Sequence, residues 1–479
     1  MKTTNFLRPF SFFTSLFFIA AMVGCNKEPV YTPPSGSSTV IYDFWLEKTA
    51  GNTTLNRPYQ GMIMGDTAIH LTVDYGTDIT ALEPTIFSYA DSVAPKGKQN
   101  FSNPVKYTLW ANGKTTSYTV RMVVSPVQFP IVKEIAAGFN HVMALKTDGT
   151  VWVCGDNSSG QLGLGDFSSR NKFTQVPVYD AAQIFTGDAA SVIKLKDGTA
   201  WGTGNQYGQL GLGHKNIIAS FTRAPFFDDA TQLAITFGEV FVVKPDGSVW
   251  GAGRNFNQLL AQGDYDLRAS FVKIPIDNVK QISGCATDII AQKSNGELWG
   301  WGNNNYGELG VGDLLPRNVP VLLSTAPGDV AKIFAGGGGV YLIDNNSRVW
   351  AAGPNARGQM GLGDLNNRNS FTQLPFFDTK SIDAITSHLG GTSFKDVSGN
   401  VWNVGDNVLG QMGLGSVSTI PYTTPLQLKD FTASSLVGWG NSTFAIKSDG
   451  TLWAWGSNSS GVLGTGVDTV SISSPIQLK

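Results

Sequence analysis

One tryptophan recurs at nearly constant intervals through the C-terminal part of this chain of 479 residues. It stands in an Asp-Gly-x-Val-Trp segment or a variant of it, and successive copies are 49, 49, 49, 51, 52 and 51 residues apart. The copies are Trp152, Trp201, Trp250, Trp299, Trp350, Trp402 and Trp453. A period of about fifty residues, with short apolar runs and glycine-rich turns in each copy, is typical of a β-propeller or another repeat array.

Each repeat divides into four short runs, as a four-stranded propeller blade requires. In the first repeat these runs span 132–136, 142–146, 150–154 and 173–178. The dipeptide Asp148-Gly149 joins the second and third runs and favours a tight hairpin. We therefore predict an all-β fold with a seven-bladed propeller over residues 129–479. The ring closes either by packing of the first blade on the seventh or by pairing of residues 129–132 beside the C-terminal strand.

A glycine-rich stretch follows the third run, as at residues 160–165, and recurs with small changes in five other repeats. It is not a phosphate-binding loop, because no Lys-Ser/Thr follows and no strand–loop–helix unit surrounds it. We interpret its glycines as allowing close backbone approach between blades. The third repeat lacks the first two of these glycines at residues 254–263, which predicts a reshaped loop in that blade.

An Asp-x-x-x-Arg spacing recurs just after this stretch. The four pairs are Asp166 and Arg170, Asp264 and Arg268, Asp313 and Arg317, and Asp364 and Arg368. We predict surface ion pairs of small energetic weight. A charged rim that binds a ligand is the alternative.

The repeats resemble regulator of chromosome condensation repeats. The resemblance rests on Ala-Ala-Gly-Phe-Asn-His ending at His141, the segment ending at Trp152, Gly-Asp-Asn ending at Asn157, and the glycine-rich stretch ending at Asp166. It implies a seven-bladed propeller whose shared activity is binding. One branch of that family consists of secreted bacterial propellers that cap and inhibit β-lactamases, and the eukaryotic branch includes nucleotide exchange factors.

The N-terminus has the pattern of an export signal. Lys2 and Arg8 precede an apolar run at 10–23 that is short for a membrane span. The run ends in Met-Val-Gly-Cys25, which resembles the lipobox of bacterial lipoproteins and implies lipidation of Cys25. An ordinary secretory peptide with an incidental cysteine is the alternative.

We therefore expect a signal peptide at 1–24, a flexible tether at 25–39 and attachment to the membrane through lipid on Cys25. Asn26 is not the aspartate that retains enteric lipoproteins in the inner membrane. The expected location is therefore the outer membrane, facing either the periplasm or the cell surface.

Residues 40–125 follow a different pattern, with alternating runs on both sides of Asn112-Gly113, a strong hairpin signal. We predict a small β-sandwich. The segments 75–86 and 100–107 resemble the immunoglobulin-like modules of Bacteroidetes surface lipoproteins. That resemblance implies a spacer rather than the binding site.

Composition and motifs argue against several functions. The net charge of −2 shows no excess of basic residues, which a protein that binds nucleic acid usually has. The four histidines show no metal-ligand spacing, and no nucleophile motif appears in a supporting context. We expect no enzyme activity, no cofactor and no metal, and for His141 a structural hydrogen bond rather than a catalytic role. Cys154 and Cys285 lie in different repeats, so we expect no disulfide between them.

The turns before the second strands vary most among the repeats, and equivalent turns should surround one end of the ring. Varied side chains that include aromatic anchors suit a recognition surface. The alternative is ordinary sequence variation of surface loops. The candidate binding residues are Phe139, Asn140, His141, Asp188, Phe237, Glu239, Asp288, Trp439 and Asn441.

The resulting hypothesis is a lipid-anchored, extracytoplasmic, monomeric protein whose propeller face binds a protein or glycan. The alternatives are guanine-nucleotide exchange, implied by the resemblance, and a surface enzyme acting on polysaccharide. A carboxylate pair at the centre of one face would favour the enzyme. An aromatic and polar face would favour binding.

Overall fold

The computed structural model describes residues 38–47, 52, 55, 59–64, 67–73, 76–124, 131–178 and 180–478. The expected signal peptide, Cys25, most of the tether and the segment 125–130 lie outside these ranges. Within them the fold is all-β, with single-turn 3-10 helices at Pro225–Phe227, Pro375–Phe377 and Ser459–Gly461. None of the helices described here is long and apolar enough to cross a bilayer.

The N-terminal region consists of two β-sheets. Its strands are β1 (Ile41–Leu46), β2 (Tyr59–Gln60), β3 (Met62–Met64), β4 (Ala68–Val73), β5 (Thr85–Ser88), β6 (Ser92–Ala94), β7 (Val105–Ala111) and β8 (Lys114–Val124). One sheet has the order β2-β1-β5 and the other β3-β4-β8-β7-β6, with β4 and β8 parallel. Both sheets contribute to one core, where the rings of Phe44 and Tyr107 lie 5.8 Å apart. The predicted β7–β8 hairpin is confirmed, with φ of 51° at Asn112 and 73° at Gly113.

Seven four-stranded antiparallel sheets follow, each built from four consecutive strands. They are β9 (Val132–Ala137), β10 (His141–Lys146), β11 (Val151–Gly155) and β12 (Arg170–Val176) in blade 1; β13 (Ala181–Thr186), β14 (Ala190–Leu195), β15 (Ala200–Gly204) and β16 (Ile218–Arg223) in blade 2; β17 (Gln232–Ile235), β18 (Glu239–Val243), β19 (Val249–Gly253) and β20 (Arg268–Lys273) in blade 3; β21 (Val279–Gly284), β22 (Asp288–Lys293), β23 (Leu298–Gly302) and β24 (Arg317–Leu322) in blade 4; β25 (Val330–Gly336), β26 (Gly339–Asp344), β27 (Val349–Gly353) and β28 (Arg368–Gln373) in blade 5; β29 (Ile382–His388), β30 (Gly391–Asp396), β31 (Asn400–Asn407) and β32 (Ser418–Thr432) in blade 6; and β33 (Ser435–Trp439), β34 (Ser442–Ile446), β35 (Leu452–Ser457) and β36 (Ser471–Gln477) in blade 7. The predicted seven-bladed propeller is confirmed.

The first strand of each blade is innermost and lines a central channel, so neighbouring first strands lie against one another. Their inward N–H groups have no partner strand and need other acceptors. In blades 5 and 7, side chains of the preceding blade supply them. The Ser283 hydroxyl accepts the Ala335 N–H at 2.9 Å, and the Thr386 hydroxyl accepts the Gly438 N–H at 2.6 Å.

A buried asparagine organises the loop after every third strand. In blade 1, Asn157 Oδ1 accepts the Leu162 N–H at 2.9 Å and Asn157 Nδ2 donates to the Asp166 carbonyl at 2.8 Å. This pair of bonds recurs in all seven blades, and we call it the asparagine clamp. Its members are Asn157, Asn205, Asn255, Asn304, Asn355, Asn407 and Asn458.

The glycines of these loops do permit close approach between blades, as predicted. A Cβ on Gly160 would lie 2.6 Å from the Ile218 carbonyl oxygen in the next blade. Gly165 N–H donates to the Ala219 carbonyl at 2.8 Å. The equivalent bond from Gly466 to Asn171, at 2.7 Å, joins blade 7 to blade 1. The ring therefore closes by blade packing, with the same contact that joins other neighbouring blades.

The predicted reshaping of the blade 3 loop is wrong. Gln258 and Ala261 replace the two glycines but each adopts a φ of 54°, so the backbone keeps its left-handed turns. Gln258 N–H donates to the Asn255 carbonyl at 3.1 Å, as Gly160 does to Asn157 in blade 1. The physical reason is that the Asn255 clamp still holds the loop.

Five of the seven recurrent tryptophans are half-buried, whereas Trp201 and Trp402 are buried, at 9% and 6% exposure. Trp250 is half-buried, with its indole N–H donating to Ser248 Oγ at 3.1 Å. Trp301 and Trp455, two residues after the recurrent tryptophans of their blades, are fully buried instead. Trp250 therefore does not belong to the buried core of blade 3.

The four Asp-x-x-x-Arg pairs do form ion pairs, with N···O distances of 2.6, 2.5, 2.8 and 2.7 Å in chain order. Cys154 and Cys285 are free and buried, as expected.

Candidate functional site

The turns between the first and second strands form one end of the ring. They span 138–140, 187–189, 236–238, 285–287, 337–338, 389–390 and 440–441. Neighbouring turns touch through their backbones. The Gly440 carbonyl accepts the Leu389 N–H at 2.8 Å, and a Cβ on Gly138 would lie 2.2 Å from the Gly187 carbonyl oxygen. The turns therefore make one continuous surface around the channel mouth, which we call the turn face.

Three aromatic side chains meet on the turn face. The Phe139 and Phe237 rings are 5.5 Å apart at 83°, and the Phe237 and Trp439 rings are 6.4 Å apart at 89°. Edge-to-face contacts of this kind are favourable for aromatic rings. The three residues belong to blades 1, 3 and 7, so they can meet only over the central channel. All three are half-buried, and we call them the aromatic hub.

A pocket of about 320 Å³ lies in the channel beside Trp439. It is lined by the first strands of blades 1 to 4 and of blade 7, mostly with apolar groups such as Ile184, Ile235 and Val437. Glu134 also lines it, and burial raises the pKa of this carboxyl although the Ile184 N–H donates to it.

Asp188 of blade 2 and Arg254 of blade 3 place opposite charges on the turn face. Burial raises the pKa of Asp188 to about 6, and the charge of Arg254 partly offsets this. The Arg254 guanidinium carbon lies 4.2 Å from the Phe256 ring centroid and 5.2 Å from that of Tyr207. Among the ion pairs of the described residues, none joins Arg254 to Asp188.

Blades 5 and 6 also carry an arginine and an aspartate, but these two side chains are in direct contact. The Arg357 guanidinium donates directly to the Asp406 carboxylate, forming an ion pair between neighbouring blades. Each of these charged groups therefore satisfies the other.

His141 is fully buried, which excludes direct contact with a partner. Ser191 Oγ donates to the Gln161 carbonyl at 2.7 Å, so the hydroxyl can only accept from His141 Nε2 at 2.9 Å. The proton of His141 is therefore on Nε2. Burial lowers the pKa of His141 to about 4, so the ring is neutral at pH 7. Ser191 is 1% exposed, so this serine–histidine contact is shielded from substrate.

Glu239 and Asp288 are also buried and hold loops of their own blades. Glu239 accepts the Asn255 N–H at 2.8 Å, and Asp288 accepts the Asn304 N–H at 2.9 Å. Burial raises the pKa of both carboxyls, and the neighbouring Glu308 raises that of Asp288 further, to about 7.

The nine residues chosen from the sequence thus divide into two groups. Phe139, Asn140, Asp188, Phe237, Trp439 and Asn441 are half-buried on the turn face. His141, Glu239 and Asp288 begin second strands and point inward, so they support the face from below and are no longer proposed as contacts.

The sequence reasoning missed Tyr207, Arg254 and Phe256, which reach the same end of the ring from the loops after the third strands. The sequence does contain a signal for Arg254, because this residue reverses the charge of the aspartate that blades 1 and 6 have at the same position.

The carboxyl pair of Asp288 and Glu308 lies inside blade 4, where the two residues are 0% and 7% exposed. It is therefore not a carboxylate pair at the centre of the turn face. In the described part of the chain, no group of three or more His, Cys, Asp or Glu side chains is placed to hold a metal.

Family comparison identifies the propeller. The regulator of chromosome condensation (RCC1) repeat matches residues 148–193, 295–343 and 449–479, and a second repeat description of the same family matches 132–161. The chain carries RCC1 repeats. Residues 52–122 match the family described as SGBP, N-terminal, which is the type found in Bacteroidetes surface glycan-binding proteins. RCC1 repeats thus follow an SGBP N-terminal domain.

Individual relatives share only parts of this RCC1-repeat chain. Human X-linked retinitis pigmentosa GTPase regulator is 30% identical over 118 residues, which cover 24% of this chain and 12% of that protein. The Arabidopsis thaliana Ultraviolet-B receptor UVR8 is 28% identical over 166 residues, covering 34% and 37%. The crystal structure of human WBSCR16 aligns with a TM-score of 0.57 at 18% identity, over 83% of this chain and 97% of that one. The last comparison shows the propeller fold alone.

Proposed function

We propose that this chain is a lipid-anchored, extracytoplasmic binding protein that recognises a protein or glycan with the turn face of its propeller. The combination of an SGBP N-terminal domain with RCC1 repeats supports a binding role at the surface of a Bacteroidetes cell. The lipid anchor rests on the Cys25 motif, and the binding face rests on the geometry of the turns.

The observation that carries the proposal is the aromatic hub. Half-buried aromatic rings at the centre of a surface, surrounded by polar groups, are the usual anchors of recognition sites. Asn140 and Asn441 lie beside Phe139 and Trp439 in sequence and are half-buried on the same turns. The face therefore offers apolar contact area together with hydrogen-bonding side chains.

The described residues of the N-terminal region contact the propeller at a place away from the turn face. Met62 packs in one core with Val151 and Leu195, which flank the hairpins between second and third strands. Those hairpins lie at the end of the blade opposite the turn face. The N-terminal region thus contacts blades 1 and 2 away from the proposed site.

Affinity capture from a solubilised native envelope tests this proposal. We expect the full chain to retain a partner and the double variant Phe237→Ala/Trp439→Ala to lose most of it. Phe376→Ala is the matched control, because Phe376 is a 38% exposed aromatic beside the strand ends opposite the turn face. Equal capture by the double variant would reject the turn face as the binding site.

A further inference from the structure

The pocket of about 320 Å³ beside Trp439, which we call the channel pocket, continues the surface of the aromatic hub. Val437 lines this pocket two residues before Trp439 in β33, so the two side chains lie on the same face of the strand. Ile235 lines it at the end of β17, two residues before Phe237. The apolar wall of the pocket therefore leads up to two rings of the hub.

The turn face leaves a way into the channel pocket beside the hub. The rings of the hub come from blades 1, 3 and 7, whereas the turns of blades 4 and 5 consist of small residues, namely Cys285, Ala286, Thr287, Gly337 and Gly338. Gly284 lines the pocket directly before the blade 4 turn and is half-exposed. A group that belongs to a bound partner can therefore enter the pocket on the side of blade 4.

The walls of the channel pocket offer few groups that could bind hydroxyls. Among the described residues that line it, the polar side chains are Glu134, Thr186, Ser283 and Trp439. The Glu134 carboxyl accepts the Ile184 N–H, and Ser283 Oγ accepts the N–H of a blade 5 residue at 2.9 Å. A sugar in the pocket would bury hydroxyls with few partners, which costs free energy, whereas an apolar group has no such cost.

Resting on the function proposed above, we infer that the channel pocket takes an apolar side chain of the partner, which makes the partner a protein.

The size and the surroundings of the pocket suit such an insertion. A cavity of about 150 Å³ with apolar walls holds a benzene molecule, so the channel pocket has room for one large aliphatic or aromatic side chain. Asn140 and Asn441 are half-buried on turns beside Phe139 and Trp439, and their amides can bond the peptide groups that flank the inserted side chain. A free acyl chain would fill the pocket without using these amides. An apolar anchor inside a ring of polar contacts is the usual centre of a protein–protein interface.

Treatment of the envelope extract tests the chemical class of the partner. The solubilised extract is digested with a protease that is then inactivated, oxidised with periodate, or passed over a lipid-adsorbing resin. Each sample is offered to the immobilised full chain, and the bound mass is measured by surface plasmon resonance. We expect protease to remove most of the capture and the other two treatments to leave it. Loss of capture after periodate or after the resin, but not after protease, would indicate a glycan or a lipid and overturn the inference.

Variants locate the inserted side chain. Ala136 is half-buried and lines the pocket, and Ala136→Leu fills part of its volume, so we expect capture to fall about tenfold or more. Val437→Thr keeps the shape of the wall but makes it polar and should weaken capture about fivefold. Ala384→Leu is the matched control, because Ala384 is a half-buried alanine in the first strand of blade 6 that does not line the pocket. Capture by this control should stay within about twofold.

Melting temperatures show which variants are folded, and Val437→Thr decides the matter if Ala136→Leu is unstable. Unchanged capture by the folded pocket variants would reject the insertion. If Phe237→Ala/Trp439→Ala still loses capture in that case, the proposed function stands without it.

Discussion

The loops after the third strands and the turns before the second strands lie at the same end of the ring, yet their sequences behave in opposite ways. Every loop contains the asparagine clamp, and even blade 3 keeps the loop geometry without two of its glycines. The turns have few residues in common between blades, and their side chains include the aromatic hub and Asp188. Repeated residues therefore build the ring, while residues that differ between blades form the exposed face.

The largest effect should come from a buried residue of the architecture. Trp301→Ala removes a fully buried ring whose indole N–H donates to the Leu259 carbonyl at 2.7 Å. We expect a loss of roughly 3 to 5 kcal/mol in the free energy of unfolding. Trp250→Ala, at a half-buried ring, should cost clearly less. Equal losses in denaturant titrations of the two variants would contradict the assignment of Trp301 to the core.

The asparagine clamp should give the next largest effect. Asn355→Ala leaves the Met360 N–H and the Asp364 carbonyl without their partner. We expect a loss of roughly 2 kcal/mol, since an unsatisfied buried group costs about 1 to 3 kcal/mol. Asn441→Ala on the turn face should change stability by less than about 0.5 kcal/mol, as surface substitutions usually do. A larger loss at Asn441 than at Asn355 would break the distinction between loops and turns.

The smallest effect concerns the buried carboxyl pair of blade 4. Because the folded-state pKa of Asp288 is raised from 3.8 to about 7, its contribution to stability is full below about pH 4 and is lost as pH rises to about 7. Glu308 stands where blades 1, 2, 5 and 6 have glutamine. Glu308→Gln removes the second cause of the shift, so we expect the variant to gain about 1 kcal/mol at pH 8 and little at pH 4.

Thermal unfolding of the unsubstituted chain and of Glu308→Gln, each at pH 4 and pH 8, measures this difference in stability. Glu308→Asp, which keeps the charge, is the control. A stabilisation by Glu308→Gln that is as large at pH 4 as at pH 8 would contradict the electrostatic explanation.

Much of the fold was predictable because each of its determinants is local and repeated. The tryptophan period, the Asp-Gly hairpins and the glycines that allow close approach are visible in the sequence. The fourth strand of blade 1 was misplaced, at 173–178 instead of Arg170–Val176, because it begins at the polar arginine of an ion pair rather than at an apolar residue.

The site was less predictable because it depends on the ring. Nothing in the sequence says that turns of blades 1, 3 and 7 bring Phe139, Phe237 and Trp439 together over the channel. His141 was placed on the face since it lies at a variable turn, but it begins a strand and its side chain packs inward against Ser191. Arg254 lies in a loop after a third strand, so the variation among the turns does not reveal it.

Photo-crosslinking can show directly whether the turn face contacts a partner. A photoreactive benzoyl-phenylalanine replaces Phe139 on the turn face or, in a control, Phe376 beside the strand ends opposite that face. Each full-length protein is irradiated in its native envelope. We predict a discrete crosslinked partner from position 139 and none from position 376. A partner crosslinked at position 376 but not at position 139 would show that recognition occurs away from the turn face.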